Sequence, residues 1–476
     1  MSKTRKIIDV VVLIFMLLFC SYFLLRRFIP RTIVVPDDYE KIGNAVSKAK
    51  SGDTVFVRAG TYNEWFKFKN GIKLIGEGKD KTIIKCPERP VHIILVVDCN
   101  SGLISNLSIQ HGGQYGAKPA VMPICLANSS IEVSNCKISK ASSSGIFITH
   151  GGSPVIHDCV IESNPSGGIL VQGEHTSPII RNNICRLNKE YGINFNCGAK
   201  GKIEVNTCSQ NEYGIIVGDV GTNVSVTGNN CLSNEYGIFL WRGACVTLED
   251  NVCDKNKKFG ISITEEGTDV TLRRNNCNKN GSCGINASFG CKGVIEENTC
   301  EENESGIGLL RIEKPIYVRN NTCRANYLDG MTFCYCDAVV AENNICVDND
   351  LHGITFIMSS KGIAEGNTCE RNRYAGINIH GFGTKVTLNK NLCRSNYPSG
   401  IEFVNAATGK AIANICEKNP WSGIAIRGKG TDPDLMDNRC NDNGAWGIIS
   451  WAGAKPVIDN NNVTLNNGRE GIKRRD

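Results

Sequence analysis

The chain has 476 residues, with 53 Lys and Arg against 47 Asp and Glu. Six basic residues and one acidic residue fall within residues 1–31, which leaves 47 against 46 in the other 445. The basic excess is therefore a terminal flank, and with no aromatic-rich stacking motif the composition argues against nucleic acid as a partner.

Residues 1–6 form a short basic flank carrying Lys3, Arg5 and Lys6. Residues 10–25 are almost purely apolar, and counting from Ile7 the run is long enough to span a bilayer as a helix. It predicts a single-pass transmembrane anchor over 7–27, closed by Arg26 and Arg27. A cleaved signal peptide is the alternative, but bulky Phe23, Leu24 and Leu25 stand where a small-x-small site belongs. Lipidation of Cys20 is opposed by Phe19. Basic residues flank both sides, so an extracytoplasmic location for the rest of the chain rests mainly on the shortness of the N-terminal flank.

Residues 28–53 read as a linker and a capping helix. Asp37 or Asp38 offers an N-cap, and Ile42, Ala45, Val46 and Ala49 fall on one helical face. Such a face can plug the open first coil of a stacked structure.

From residue 54 to 476 the chain is a repeat. Fourteen cysteines stand at 136, 159, 185, 208, 231, 253, 277, 300, 323, 346, 369, 393, 416 and 440, in steps of 22 to 26 residues. A period of that size marks units that bury their apolar faces only by stacking on neighbours. Twelve of these cysteines carry Asn two residues before and three residues after, as in Asn206, Cys208 and Asn211, and a further coil offers Asn461, Val463 and Asn466. Gly and an apolar residue follow, and the chain then alternates, as in Gly192-Ile193-Asn194-Phe195-Asn196. Alternation is the mark of a strand with one buried face. A second alternating run precedes each Asn-x-Cys triplet, such as Val386-Thr387-Leu388.

Strands that recur in phase without crossover helices pair with their own copies in the next turn, which predicts an all-β, single-stranded parallel β-helix. About seventeen coils at about 4.8 Å each give a rod on the order of 80 Å long. Asn suits the corners because it tolerates left-handed backbone. Cys serves as a small inward filler. Twenty-four cysteines outside a cell would ordinarily suggest disulfides. Equivalent positions on stacked coils have parallel Cβ vectors that do not favour the disulfide torsion, so free thiols are expected. A metal column is disfavoured because a dry stack holds neutral thiols, and no cofactor is expected. Cys334 and Cys336, outside the column, read as the pair with most access to solvent.

The run Thr54-Val55-Phe56-Val57-Arg58-Ala59-Gly60-Thr61-Tyr62-Asn63-Glu64, with Ile72-Lys73-Leu74-Ile75-Gly76-Glu77-Gly78, resembles the opening coils of pectin-lyase-like proteins, including pectin methylesterases. The later Asn-x-Cys-x-x-Asn and Gly-Ile units resemble the parallel β-helix repeats of carbohydrate-binding and sugar-hydrolase modules, of periplasmic nitrous-oxide-reductase maturation proteins and of an F-box ubiquitin-ligase subunit. Together these resemblances cover residues 32–476. They imply a right-handed helix without implying one activity.

Enzymes on this fold gather carboxylates, a basic proton acceptor or a cation on one face across adjacent coils. The outward positions after each Gly-apolar pair are mostly neutral. The exception is His380, Glu402 and Arg427 on three successive coils, a trio able to bind or deprotonate a uronate. A solvated surface trio fits the same residues. The methylesterase aspartates and arginine have no counterpart, and the epimerase pattern is matched only as far as Tyr-Gly-Ile. Leu351-His352-Gly353 and Arg311-Ile312-Glu313-Lys314 echo polygalacturonase signatures faintly.

Aromatics at the turn before each Gly include Tyr191, Tyr213, Tyr236, Phe259, Tyr327, Tyr374, Tyr397, Trp421 and Trp446. As a stripe they offer flat faces to a glycan, with Tyr191, Tyr213, Tyr236, Trp241 and Trp451 as the leading sugar-binding candidates. The same pattern fits a stack that packs coil on coil. The sequence thus points to a membrane-anchored rod that binds polysaccharide or serves as a surface interaction rod. A polysaccharide lyase, hydrolase or epimerase is the alternative, and an accessory factor for periplasmic metal-enzyme maturation is a weaker one.

Overall fold

A computed structural model of the chain describes residues 11, 14, 16, 29–86, 92–111 and 122–475. The anchor expected over 7–27 lies, apart from three isolated positions, outside the described residues. Among the described residues no helix is long and apolar enough to cross a membrane.

The chain winds as a parallel β-helix with three faces. The first face is a 19-stranded sheet running from Thr32–Val35 to Val457–Ile458. The second consists of blocks of eight and six short strands, joined by single bridges through Val252 and Asn276. The third runs from Phe66–Lys67 to Ile472–Arg474, each strand paired in parallel with its copy one coil on. Nineteen strands on one face exceed the seventeen coils expected, because the opening coils carry no Asn-x-Cys triplet to count. The rod also begins earlier than residue 54. Thr32–Val35 pairs with Thr54–Val57, so the helix sits within the first coil and not ahead of it.

That helix, Ile42–Lys48, buries Ile42, Ala45 and Val46, with Ala49 just beyond. Its N-terminus is capped from another part of the chain. Glu64 accepts from the Ile42 and Gly43 N–H groups at 2.8 and 2.9 Å. Asp37 instead pairs with Arg58, and Asp38 accepts from the Val34 N–H at 2.7 Å. A carboxylate brought up by the next coil does the capping that neighbouring aspartates were expected to do.

Inside the rod, alternation holds as read: Val224 and Val226, Ile193 and Phe195, and Ile354 and Phe356 are all buried. Each such side chain contributes about 2 kcal/mol when taken out of water. The fourteen column cysteines are buried, and all 23 described cysteines are free thiols. Burial pushes Cys277, Cys323 and Cys416 well above the ordinary thiol range.

Asparagine works differently from the expectation. The ladder residues are not left-handed; the residue just before each one is, as at Val205, Arg274 and Glu297. The Asn side chain runs along the rod instead. Asn321 accepts from the Asn298 backbone N–H and Nδ2, and donates from its own to Asn344, all at 2.9–3.0 Å, while Nδ2 also donates to the Ile295 carbonyl at 2.8 Å. Two such ladders line the corners flanking the cysteine strands. The last coil slips by one residue from the reading above: Asn462 and Asn467 continue the ladders, and Arg439 bridges Val463, which sets Thr464 in the cysteine position.

Candidate functional site: a polar trough on the third face

On the third face the position before each glycine forms its own ladder. Near one end it holds Tyr191, Tyr213 and Tyr236 in direct register, followed by Phe259. Over the next seven coils aromatic rings give way to Cys283, Ser305, Asp329, His352, Ala375, Ser399 and Ser422, and Trp446 restores a ring. The outward ladder beside this gap reads Asn286, Gly308, Thr332, Thr355, Asn378, Glu402 and Ala425 on consecutive strands. Ser262, Ser288, Thr355 and Asn378 are buried although they point away from the core. Small residues between taller neighbours make a strip about 30 Å long at about 4.8 Å per coil, the trough referred to below.

Exposed aromatics stand on both rims. Tyr327, Tyr374 and Tyr397 lie on the side where the chain enters the strands, at 65, 49 and 62% exposure. Phe289, Tyr335, Met358 and Phe382 are exposed where it leaves them. Phe289, Tyr335 and Met358 have φ of 57, 54 and 53°, in the left-handed region that bulky side chains avoid. That backbone turns their side chains off the strand alternation and outward. It also separates the expected cysteine pair: with Tyr335 left-handed, Cys334 is half-buried and Cys336 enters the core. Among the described residues Cys197 and Cys245 are the exposed thiols.

The five sugar-binding candidates lie mainly at the ends of the trough, engaged in packing. Tyr191 is buried and bonds Ser144 through its hydroxyl at 2.8 Å, so no ring face is presented. Tyr213 and Tyr236 stack on each other with centroids 5.0 Å apart, and Tyr236 also touches Phe239 and Phe259. Trp241 lies over Gly218 with Arg242 4.3 Å from its ring, and Trp451 packs edge-on to Trp421 at 5.2 Å.

The expected trio occupies two ladders. Asn378, Glu402 and Ala425 are in register on one, and His380, Val404 and Arg427 on the other. His380 is exposed and bonds Asn405 Nδ2 through Nε2 at 2.9 Å. Glu402 is half-buried; burial raises its pKa, while the Ser399 hydroxyl and the Arg427 charge oppose that rise without cancelling it. Arg427 is thus the trio member coupled to Glu402.

Asp329 and His352 were not picked out as site residues. Asp329 accepts from Thr332 Oγ1 at 2.9 Å and from the His352 backbone N–H at 3.0 Å. His352 meets Tyr374 edge-on at 5.5 Å, and burial lowers its pKa. His352 Nδ1 and Thr355 Oγ1 are buried without a hydrogen-bond partner, two polar atoms on adjacent ladders of the same strand region. Leu351-His352-Gly353 was the available signal, but burial and Asp329 are features of stacking and not of spacing.

Residues 68–231, 124–277, 265–392 and 351–473 each match the model of the right handed beta helix region. The chain belongs to the right-handed β-helix family. No curated protein sequence matches it. Among solved structures this β-helix is similar to the A-module of a mannuronan C-5 epimerase from Azotobacter vinelandii, with 13% identity, 90% of this chain and 93% of that one covered, and a TM-score of 0.38. It is also similar to a pectin methyl esterase from rice weevil, at 12% identity, 46 and 81% coverage and a TM-score of 0.32. A third is the catalytic unit of a GH87 alpha-1,3-glucanase from Streptomyces thermodiastaticus, at 12% identity, 75 and 66% coverage and a TM-score of 0.35. Likenesses at this level carry no argument about activity, so the chemistry is argued from this β-helix's own residues.

Among the described residues Glu402 has no second carboxylate on its own ladder. A glycosidase needs two carboxyl groups within about 5–9.5 Å. Glu402 has Asn378 and Ala425 as its ladder neighbours, and Asp329 lies three coils away, roughly 14 Å along the axis. Among the described residues no group of His, Cys, Asp and Glu is placed to hold a metal ion.

Proposed function

We propose that this protein binds an extended polysaccharide along the third-face trough, as a membrane-anchored, extracytoplasmic β-helix. The observation that carries the reading is the seven-coil gap in the aromatic ladder, which leaves a floor of one mainly polar ladder and one mainly apolar ladder, with Leu310, Cys334, Ile357 and Val404, between rims bearing exposed Tyr327, Tyr374 and Tyr397 on one side and Phe289, Tyr335 and Phe382 on the other. Aromatic faces stack on sugar rings, and a floor of hydroxyl and amide groups meets their hydroxyls. The anchor rests on the apolar run over 7–27 and the outward orientation on the short flank before it, and both belong to the same proposal.

The test is a glycan array probed with the full chain, then titration of any hit against a variant carrying Tyr327→Ala, Tyr374→Ala and Tyr397→Ala. Affinity is expected to fall about tenfold or more with an unchanged melting temperature. Equal affinity in the variant would remove the trough from the reading.

Glu402 supports a second reading. A half-buried carboxyl with a raised pKa beside Arg427 is suited to moving a proton at a uronate, as a lyase or epimerase requires. New unsaturated or epimerised products from a bound polyuronate, lost in Glu402→Gln, would favour it over simple binding.

A further inference from the structure

The rim that follows the third-face strands carries one ladder of residues, in which two arginines have opposite surroundings. Arg242 stands between Asp219, 3.9 Å away, and Glu265, 4.0 Å away, so its charge is met on both sides. Arg311, three coils further on, has no carboxylate within ion-pair distance among the described residues. Its neighbours on the rim are rings: the guanidinium carbon lies 5.7 Å from the centre of Phe289 and 6.0 Å from that of Tyr335. All three residues hold left-handed backbone, with φ of 57, 55 and 54°. That conformation costs about 1 kcal/mol or more for each side chain bearing a Cβ, and it keeps a cation standing between two aromatic faces. Ring faces attract the cation without using its N–H donors.

The floor beside Arg311 carries a glycine. Its own strand, Ser305–Leu310, places Gly308 in the outward ladder between Asn286 and Thr332. A Cβ there would press on Cys283 Sγ at 3.0 Å and touch Asn286 Oδ1 at 3.8 Å, so this rung fits glycine beneath the Cys283 sulfur and presents no side chain of its own.

We infer that Arg311, held between Phe289 and Tyr335 at the end of the strand that carries Gly308, is an anion-recognition post that makes the trough select acidic over neutral polysaccharide. The inference rests on the trough being the glycan site and adds the substrate class. A guanidinium with unspent donors pairs in bidentate fashion with a planar carboxylate and also accepts a sulfate ester. The ring stacking orients the fork, which an ammonium on a flexible stem would not reproduce.

The experiment titrates the full-length wild type and Arg311→Gln with three probes: polygalacturonate, the same polymer after carboxyl reduction, and dextran sulfate. Arg311→Gln is expected to weaken polygalacturonate binding about two- to fivefold, the worth of one exposed charge-assisted contact, to flatten its salt dependence, and to leave the reduced polymer unaffected. Arg311→Lys is expected to recover only part of the affinity. If dextran sulfate alone responds to the substitution, the post reads sulfate and not carboxylate. Equal loss for charged and neutral polymers, or no loss for either charged one, overturns the post while leaving the trough in place. Failure of the wild type to bind any of the three, together with silence on the glycan array, removes the trough and the post with it.

Discussion

At the scale of single residues, hydrogen bonds along the rod axis matter as much as apolar burial. Replacing Asn321 by Ala would leave the Asn298 backbone N–H and one of the two Asn298 Nδ2 hydrogens without their acceptor and take a donor from the Ile295 carbonyl, all in a buried corner. Buried groups left unsatisfied cost about 1–3 kcal/mol each, so Asn321→Ala is expected to lower the unfolding free energy by several kcal/mol in a urea titration. Glu402 behaves in the opposite sense. Its pKa is raised in the folded state, so folding favours the protonated form. That contribution is fully present below the ordinary carboxyl value near pH 4 and is lost as pH rises through the folded value. Glu402→Gln is therefore expected to melt higher than wild type at neutral pH, with the difference closing towards about pH 3, as thermal melts across pH would show. A residue retained at a cost to stability is consistent with a role in the trough.

At the scale of elements, each strand was readable because its alternation is local. Gly192-Ile193-Asn194-Phe195 carries its inward and outward sides in its own spacing, and Ile193 and Phe195 are buried accordingly. The cysteine strands were readable for the same reason, and their burial has a chemical consequence. Iodoacetamide applied to the native protein is expected to label Cys197 and Cys245 rapidly and Cys334 slowly, while Cys208, Cys323 and the rest of the column react only after unfolding, as peptide mass spectrometry would resolve. Rapid native labelling of column cysteines would contradict the dry stack, and failure to label them after unfolding without reductant would reveal disulfides. The Cys334 and Cys336 pair escaped the local rule. One left-handed residue between them, Tyr335, sends the second thiol into the core.

At the scale of the whole molecule, the trough exists only because nineteen rungs are stacked in register. A rod of this kind multiplies a weak contact per coil into a long site, so affinity is expected to rise steeply with glycan length until the trough of about 30 Å is filled and then level off. Calorimetry on oligosaccharides of increasing length checks this, and a length-independent affinity would point to a single-coil site. The sequence by itself determined the period, the strand alternation, the inward cysteine and the plugging face of the helix, because each depends on side chains a few residues apart or on one position repeated. Tertiary structure alone decided what coils do for one another: Glu64 capping the helix, the asparagine ladders, the packing of Tyr191, Tyr213 and Tyr236, and Arg311 between Phe289 and Tyr335. Those contacts join residues about 22 to 25 apart in the chain but one coil apart in space. Their geometry follows from the left-handed turns and coil lengths that set the register, and no short stretch of sequence contains it.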